Sequence, residues 1–162
     1  MATDGRASPP EADTNADAEL ELRVVRLRPN ARLPARQSEL ASGFDLHACL
    51  EDGEEIVLGA MPTLVPTGVA IAAPPGTDVQ LRPRSGLSLR GVMKTLGTLD
   101  ADYRGEVFAS MYCLSGAEGH VVRDGDRIAQ IVVSRLAAVQ WTEVADLDDT
   151  ARGAGGHGST DG

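Results

Sequence analysis

Apolar and polar residues alternate along the chain in short runs, and the runs are too brief for helices. From Leu22 onward LRVVRL, DLHACL, EEIVLGAMPTLV, VAIAA and DVQLR follow one another, separated by RPN, EDG, PTG and PPG. Period-two runs bounded by Gly, Pro, Asn and Asp are the signature of strands and turns. The second half continues with GVMKTL, EVFASMYCLSG, HVVRDGDRIAQIVV and LAAVQWTEV, each expected to hold a strand. Few windows keep apolar residues at i, i+3, i+4 and i+7 for the length a helix needs. The best helical candidate, SGLSLR, is one or two turns. The pattern predicts an all-β barrel or sandwich over residues 21–150, with Pro and Gly at corners and strand ends. No internal repeat is visible.

Composition refines this. A chain of 162 residues has room for one domain with a real core. Aromatics are only 3%, so that core must be built from Val, Leu, Ile and Ala. Residues 1–20, MATDGRASPPEADTNADAEL, lack any apolar period and are expected to be a disordered acidic leader. A formal net charge of -9 argues against a general nucleic-acid binder, though a single nucleotide met by a few local arginines remains compatible. Cys49 and Cys113 form no CxxC pair and are expected to be buried free thiols. With no signal peptide and no apolar run of spanning length, a cytoplasmic location without membrane contact is the expectation.

Five stretches are too polar and glycine-rich for ordinary strands. In ASGFDLHA (41–48), Asp45 is flanked by apolar neighbours and could simply cap a turn. RPRSGLSLR (82–90) offers Arg84, Ser85 and Gly86, which form either a plain turn or a cradle for phosphate oxygens. GTLDADYRGE (97–106) is either a polar turn with a surface ion pair or a carboxylate held to activate water beside a phenol ring; if it is extended, Asp100 and Asp102 share a face and Tyr103 takes the other. In RDGDRIAQ (123–130), Arg127 and Gln130 border a very apolar strand. The closing segment RGAGGHGSTDG (152–162) is either a functionless tail or an arm whose glycines, hydroxyls and Arg152 suit a triphosphate.

Taken in order, ASGFDLHA, PRSGLS, GTLDADYRGE, GDRIAQ and RGAGGHGST resemble the five motifs of the trimeric deoxyuridine triphosphatases, the dUTPases, over roughly Leu22 to the C-terminus. The resemblance implies a jelly-roll β-barrel, a homotrimer with an exchanged C-terminal arm, and hydrolysis of dUTP to dUMP and pyrophosphate with Mg²⁺. That activity would limit uracil incorporation into DNA and supply dUMP for dTMP synthesis. It also implies roles. Asp100 would activate the water attacking the α-phosphorus, and Tyr103 would pack beneath deoxyribose. Arg84, Ser85, Gly86 and Gln130 would bind phosphates, and Asp45 would meet the magnesium through water. In residues 151–162, read as a mobile lid, Arg152 would reach the γ-phosphate while Gly156, His157, Gly158, Ser159 and Thr160 close over the nucleotide.

Two departures from the family pattern stand out. His157 occupies the place of the usual Phe, which predicts weaker or pH-dependent lid closure. The segment from Ser85 to Asp100 is short, and Lys94 lies near a position where several relatives have Asn. Main-chain groups of Leu96, Gly97 and Thr98 are then expected to read uracil, rejecting cytosine by roughly 10⁴-fold. Two rival readings remain: a dCTP deaminase on the same fold, which would release ammonia, and a nucleotide-binding regulatory protein without turnover, which would tolerate Asp100→Asn.

Overall fold

The computed structural model describes residues 19–151, 153 and 154. The chain order is β1 (Arg23–Arg26), β2 (Phe44–His47), β3 (Glu55–Leu58), β4 (Thr63–Ala72), β5 (Thr77–Arg82), α1 (Ser85–Ser88), β6 (Val92–Lys94), β7 (Gly97–Leu99), β8 (Glu106–Cys113), β9 (His120–Arg123) and β10 (Arg127–Arg135). Two four-stranded sheets, in the orders β1-β4-β8-β6 and β2-β10-β5-β7, are joined by the ribbon β3-β9; every pairing is antiparallel.

Period two explains how the sheets share a core. In β8, Val107, Ala109, Met111 and Cys113 are buried while Phe108 is exposed; in β5, Thr77, Val79 and Leu81 are buried while Asp78, Gln80 and Arg82 face outward. Leu46, Leu58, Val65, Val69, Val122, Ile128 and Ile131 complete an interior made almost wholly of aliphatic side chains. Removing this apolar surface from water is the principal force holding the fold together. Both cysteines are buried and free, as expected, and Cys49 Sγ donates to Asn30 Oδ1 at 3.2 Å.

β4 is broken by a bulge between Pro66 and Ala70, where Pro66 has no N–H to give the ladder. Gly68 turns the corner at φ 67°, and a Cβ there would come within 2.5 Å of Cys49 Sγ. Its N–H donates to Glu106 Oε1 at 2.8 Å, and Arg28 grips both oxygens of the same carboxylate at 2.5 and 3.0 Å. Part-buried charge at the start of β8 is thereby paired and hydrogen-bonded.

One expected strand is not formed. Among the described residues LAAVQWTEV joins no ladder beyond its first residue, whose N–H donates to the Gly76 carbonyl at 2.8 Å: β10 ends at Arg135, and Leu136, Val139, Trp141 and Val144 are exposed, Trp141 by 93%. Its apolar periodicity is real, but the described residues offer it no edge or face to cover.

Candidate active site

The polar stretches lie along the outward face of the β2-β10-β5-β7 sheet, at its two ends. Register places Asp45 opposite Gln130, Gln130 opposite Arg82, and Gly97 opposite Leu81, so Leu96 begins where the row from Asp45 leaves β5.

At the β2 end of this row Asp45 is buried and does not cap a turn. Its Oδ1 receives Arg84 Nε at 3.2 Å and its Oδ2 receives Arg127 NH1 at 3.3 Å. Arg84 also donates to the Arg127 carbonyl at 3.0 Å, which closes a ring of contacts around the entry to α1. Leu87 anchors this single helical turn in the core and leaves Ser85 and Gly86 exposed at its start. Gln130 donates through Nε2 to the Pro83 carbonyl at 2.9 Å and fixes the segment that leads into α1. Gly43 is required beside it, because a Cβ there would collide with Gln130 Oε1. Asp45, Arg84, Ser85, Gly86 and Gln130 are therefore brought together.

Arg127, noted in the sequence beside Gln130, joins the cluster, and His47 joins it unannounced. His47 stands two residues from Asp45, on the same face by strand alternation, and opposite Arg127. Among the described residues its Nδ1 is buried with no hydrogen-bond partner, and its pKa is lowered first by burial and then by the nearby Arg32 guanidinium. Period two alone could have flagged it. Beneath the cluster a 350 Å³ pocket is lined by Arg84, Arg90, His120, Arg123 and Arg127.

The other end of the face carries the DADY segment. It is a turn, not an extended run: Tyr103 N–H donates to the Asp100 carbonyl at 3.0 Å, so the alternation of Asp100 and Asp102 against Tyr103 does not apply. Arg104 donates to the Ala101 and Tyr103 carbonyls, each at 2.7 Å, instead of pairing with a carboxylate. Tyr103 Oη donates to the Glu106 carbonyl at 3.0 Å with its ring across Gly105, where a Cβ would strike it. The ring is 43% exposed, and the Asp100 carboxylate is exposed. Leu96 and Thr98 are exposed beside it at the corner where β6 gives way to β7.

These two halves do not meet within one chain. Leu99 pairs with Val79 while Arg82 pairs with Gln130. Asp100 therefore stands three strand spacings across and four residues along from Asp45, about 20 Å away. That distance exceeds what a triphosphate bridges. Arg152, Gly156, His157, Gly158, Ser159 and Thr160 lie outside the described residues, as does the leader up to residue 18.

The chain is similar to known proteins. The family model described as dUTPase matches residues 29–161. A deoxyuridine 5'-triphosphate nucleotidohydrolase of Wolinella succinogenes is 51% identical over 144 residues, 87% of this chain and 94% of the relative. One from Syntrophotalea carbinolica is 46% identical over 144 residues, 87% of this chain and 97% of the relative. Among solved structures, the dUTPase of Staphylococcus bacteriophage 80alpha with dUpNHpp is 25% identical, with a TM-score of 0.71 over 86% of this chain and 98% of that one. A mutant dUTPase of S. aureus phage phi11, whose structure describes coordination of a structural Mg(II) ion, shares the fold at 23% identity and a TM-score of 0.67, over 78% and 97% of the two chains.

Proposed function

The chain belongs to the dUTPase family and hydrolyses dUTP to dUMP and pyrophosphate, and from that premise we propose that each active site is assembled from more than one copy of it, in a homotrimer. The 20 Å gap carries this reading. The phosphate-binding cluster around Asp45, Arg84, Ser85, Gly86 and Gln130 belongs to one copy, and the Asp100–Tyr103 turn facing it belongs to another. Symmetric closure with one repeated interface makes every such pairing equivalent. The unpaired apolar segment 136–144 supports the same assembly, since a neighbouring copy is a surface it could cover.

In this arrangement Asp100 accepts a proton from a water aimed at the α-phosphorus. The water oxygen bonds to phosphorus as the bond to the bridging oxygen breaks, and pyrophosphate leaves. Tyr103, held by Glu106, presents its ring to the deoxyribose. Ser85 and Gly86 offer donors to phosphate oxygens, and Arg84, oriented by Asp45, adds positive charge beside them. Positioning and electrostatic stabilisation supply most of the acceleration in such reactions. Residues 151–162, with Arg152, His157, Ser159 and Thr160, close over the nucleotide as a lid.

An all-protein cage for Mg²⁺ does not fit: among the described residues there is no grouping of three or more His, Cys, Asp or Glu. A hydrated ion carried by the triphosphate does fit, because Asp45 retains lone pairs beyond those that Arg84 and Arg127 occupy and can accept from a metal-bound water. When bound, the ion supplies neutralisation of phosphate charge.

Mixing two inactive variants tests the shared site. Asp100→Asn and Ser85→Ala, each unfolded and refolded together in equal amounts, should recover about a quarter of wild-type turnover, because that fraction of sites draws an intact half from each parent. If the mixture stays as inactive as its parents, the site is not shared.

A further inference from the structure

Lys94 is the one lysine in the chain and among its few buried charged residues, at 6% exposure. Its backbone belongs to β6, opposite Met111 of β8, yet its ammonium reaches the other sheet and donates to the Leu81 carbonyl of β5 at 3.0 Å. Leu81 stands opposite Gly97. A Cβ on Gly97 would be 3.4 Å from Lys94 Nζ, so the ammonium lies directly against the corner formed by Leu96, Gly97 and Thr98. Thr95 still donates its N–H to Ser110 of β8, which leaves Leu96 to make the crossing between sheets alone.

An ammonium has three donors, and this one has a single acceptor among the described residues. The charged groups of the neighbouring strands are engaged elsewhere. Asp78 receives Gln80, Arg82 donates to Gln80, and Glu106 is held by Arg28. Burial alone pushes the Lys94 pKa down to about 8. A buried cation with unused donors is costly to the folded protein, and such a group at a ligand-facing corner points to an acceptor that arrives from outside.

We propose that Lys94 selects the base: its ammonium donates to a carbonyl of the pyrimidine seated at Leu96–Thr98. Uracil offers a carbonyl where cytosine offers an amino group. A donor-only cation rewards the first and is left facing another donor by the second. This rests on the dUTPase reading for the nature of the ligand, and adds a side chain to a corner whose backbone was expected to do the reading unaided.

Lys94→Met keeps the length and apolar bulk of the side chain and removes its donors. Against wild type, its kcat/KM for dUTP should fall about 10- to 100-fold, mainly through KM, with that for dCTP unchanged or raised. The dUTP/dCTP ratio narrows accordingly, while the urea midpoint does not fall. Calorimetric binding of dUMP against dCMP gives the same comparison without turnover, so it holds even if hydrolysis is absent. An unchanged ratio overturns the proposal. So does an equal loss for both nucleotides with a lowered urea midpoint, which would make Lys94 a staple between the sheets.

Discussion

Asp45 and Asp100 are both aspartates of the proposed site, and their surroundings fit them for different work. Asp45 is buried between two guanidinium groups, whereas Asp100 is exposed at the start of a turn. A base must be free to take a proton, so Asp100→Asn should lower kcat by about 10²- to 10⁴-fold with KM little altered, measured as pyrophosphate release. Lys94 carries a prediction with the opposite sign for stability. Its pKa is about 8 when folded against the ordinary 10.5, so between those values the unfolded chain binds more protons and stability rises with pH. Below pH 8 the full penalty of the buried charge is present. Lys94→Met should therefore be more stable than wild type at pH 7 by about 1–2 kcal/mol, after loss of the hydrogen bond to Leu81. Urea unfolding should show that gain shrinking to nothing as pH passes the ordinary lysine range.

Strands were legible from sequence wherever both faces of the alternation are used within one chain. EVFASMYC and DVQLR bury and expose as period two demands. The helical turn at SGLS was legible too, because a short apolar anchor and a preceding proline left little else. LAAVQWTEV misled because periodicity records that a face will be covered, not by which molecule. DADY misled in another way, since its alternation presumed an extended backbone and local hydrogen bonds chose a turn. The contacts of Arg127 and Lys94 were not legible because their partners are distant in sequence: Asp45 across a strand pair, Leu81 across the gap between sheets. The bulge at Gly68 belongs to the same class, and it controls the site at a distance. Gly68→Ala would strain the positive φ and crowd Cys49, displacing the donor that steadies Glu106 and hence the Tyr103 turn. A stability loss above about 1 kcal/mol is expected, seen as a Tm lower by about 3 °C, with reduced kcat in the folded fraction.

At the scale of the whole molecule, Trp141 reports on assembly. It is the only tryptophan in the chain and is 93% exposed in the isolated fold. If segment 136–144 lies against a neighbouring copy, emission should be blue-shifted at high protein concentration and move toward the red on dilution, in step with loss of specific activity. An emission maximum independent of concentration, in protein that sediments as a trimer, would place the segment elsewhere.

The two separated halves of the site also bear on heredity. Under the proposed assembly, a copy that has lost only Asp100 would still join intact partners and would spoil each pocket to which it should have lent its acid. In a cell making both forms in equal amounts, half the pockets would lack their acid, which leaves as many working pockets as a deletion would, so such an allele would be no more dominant than a null.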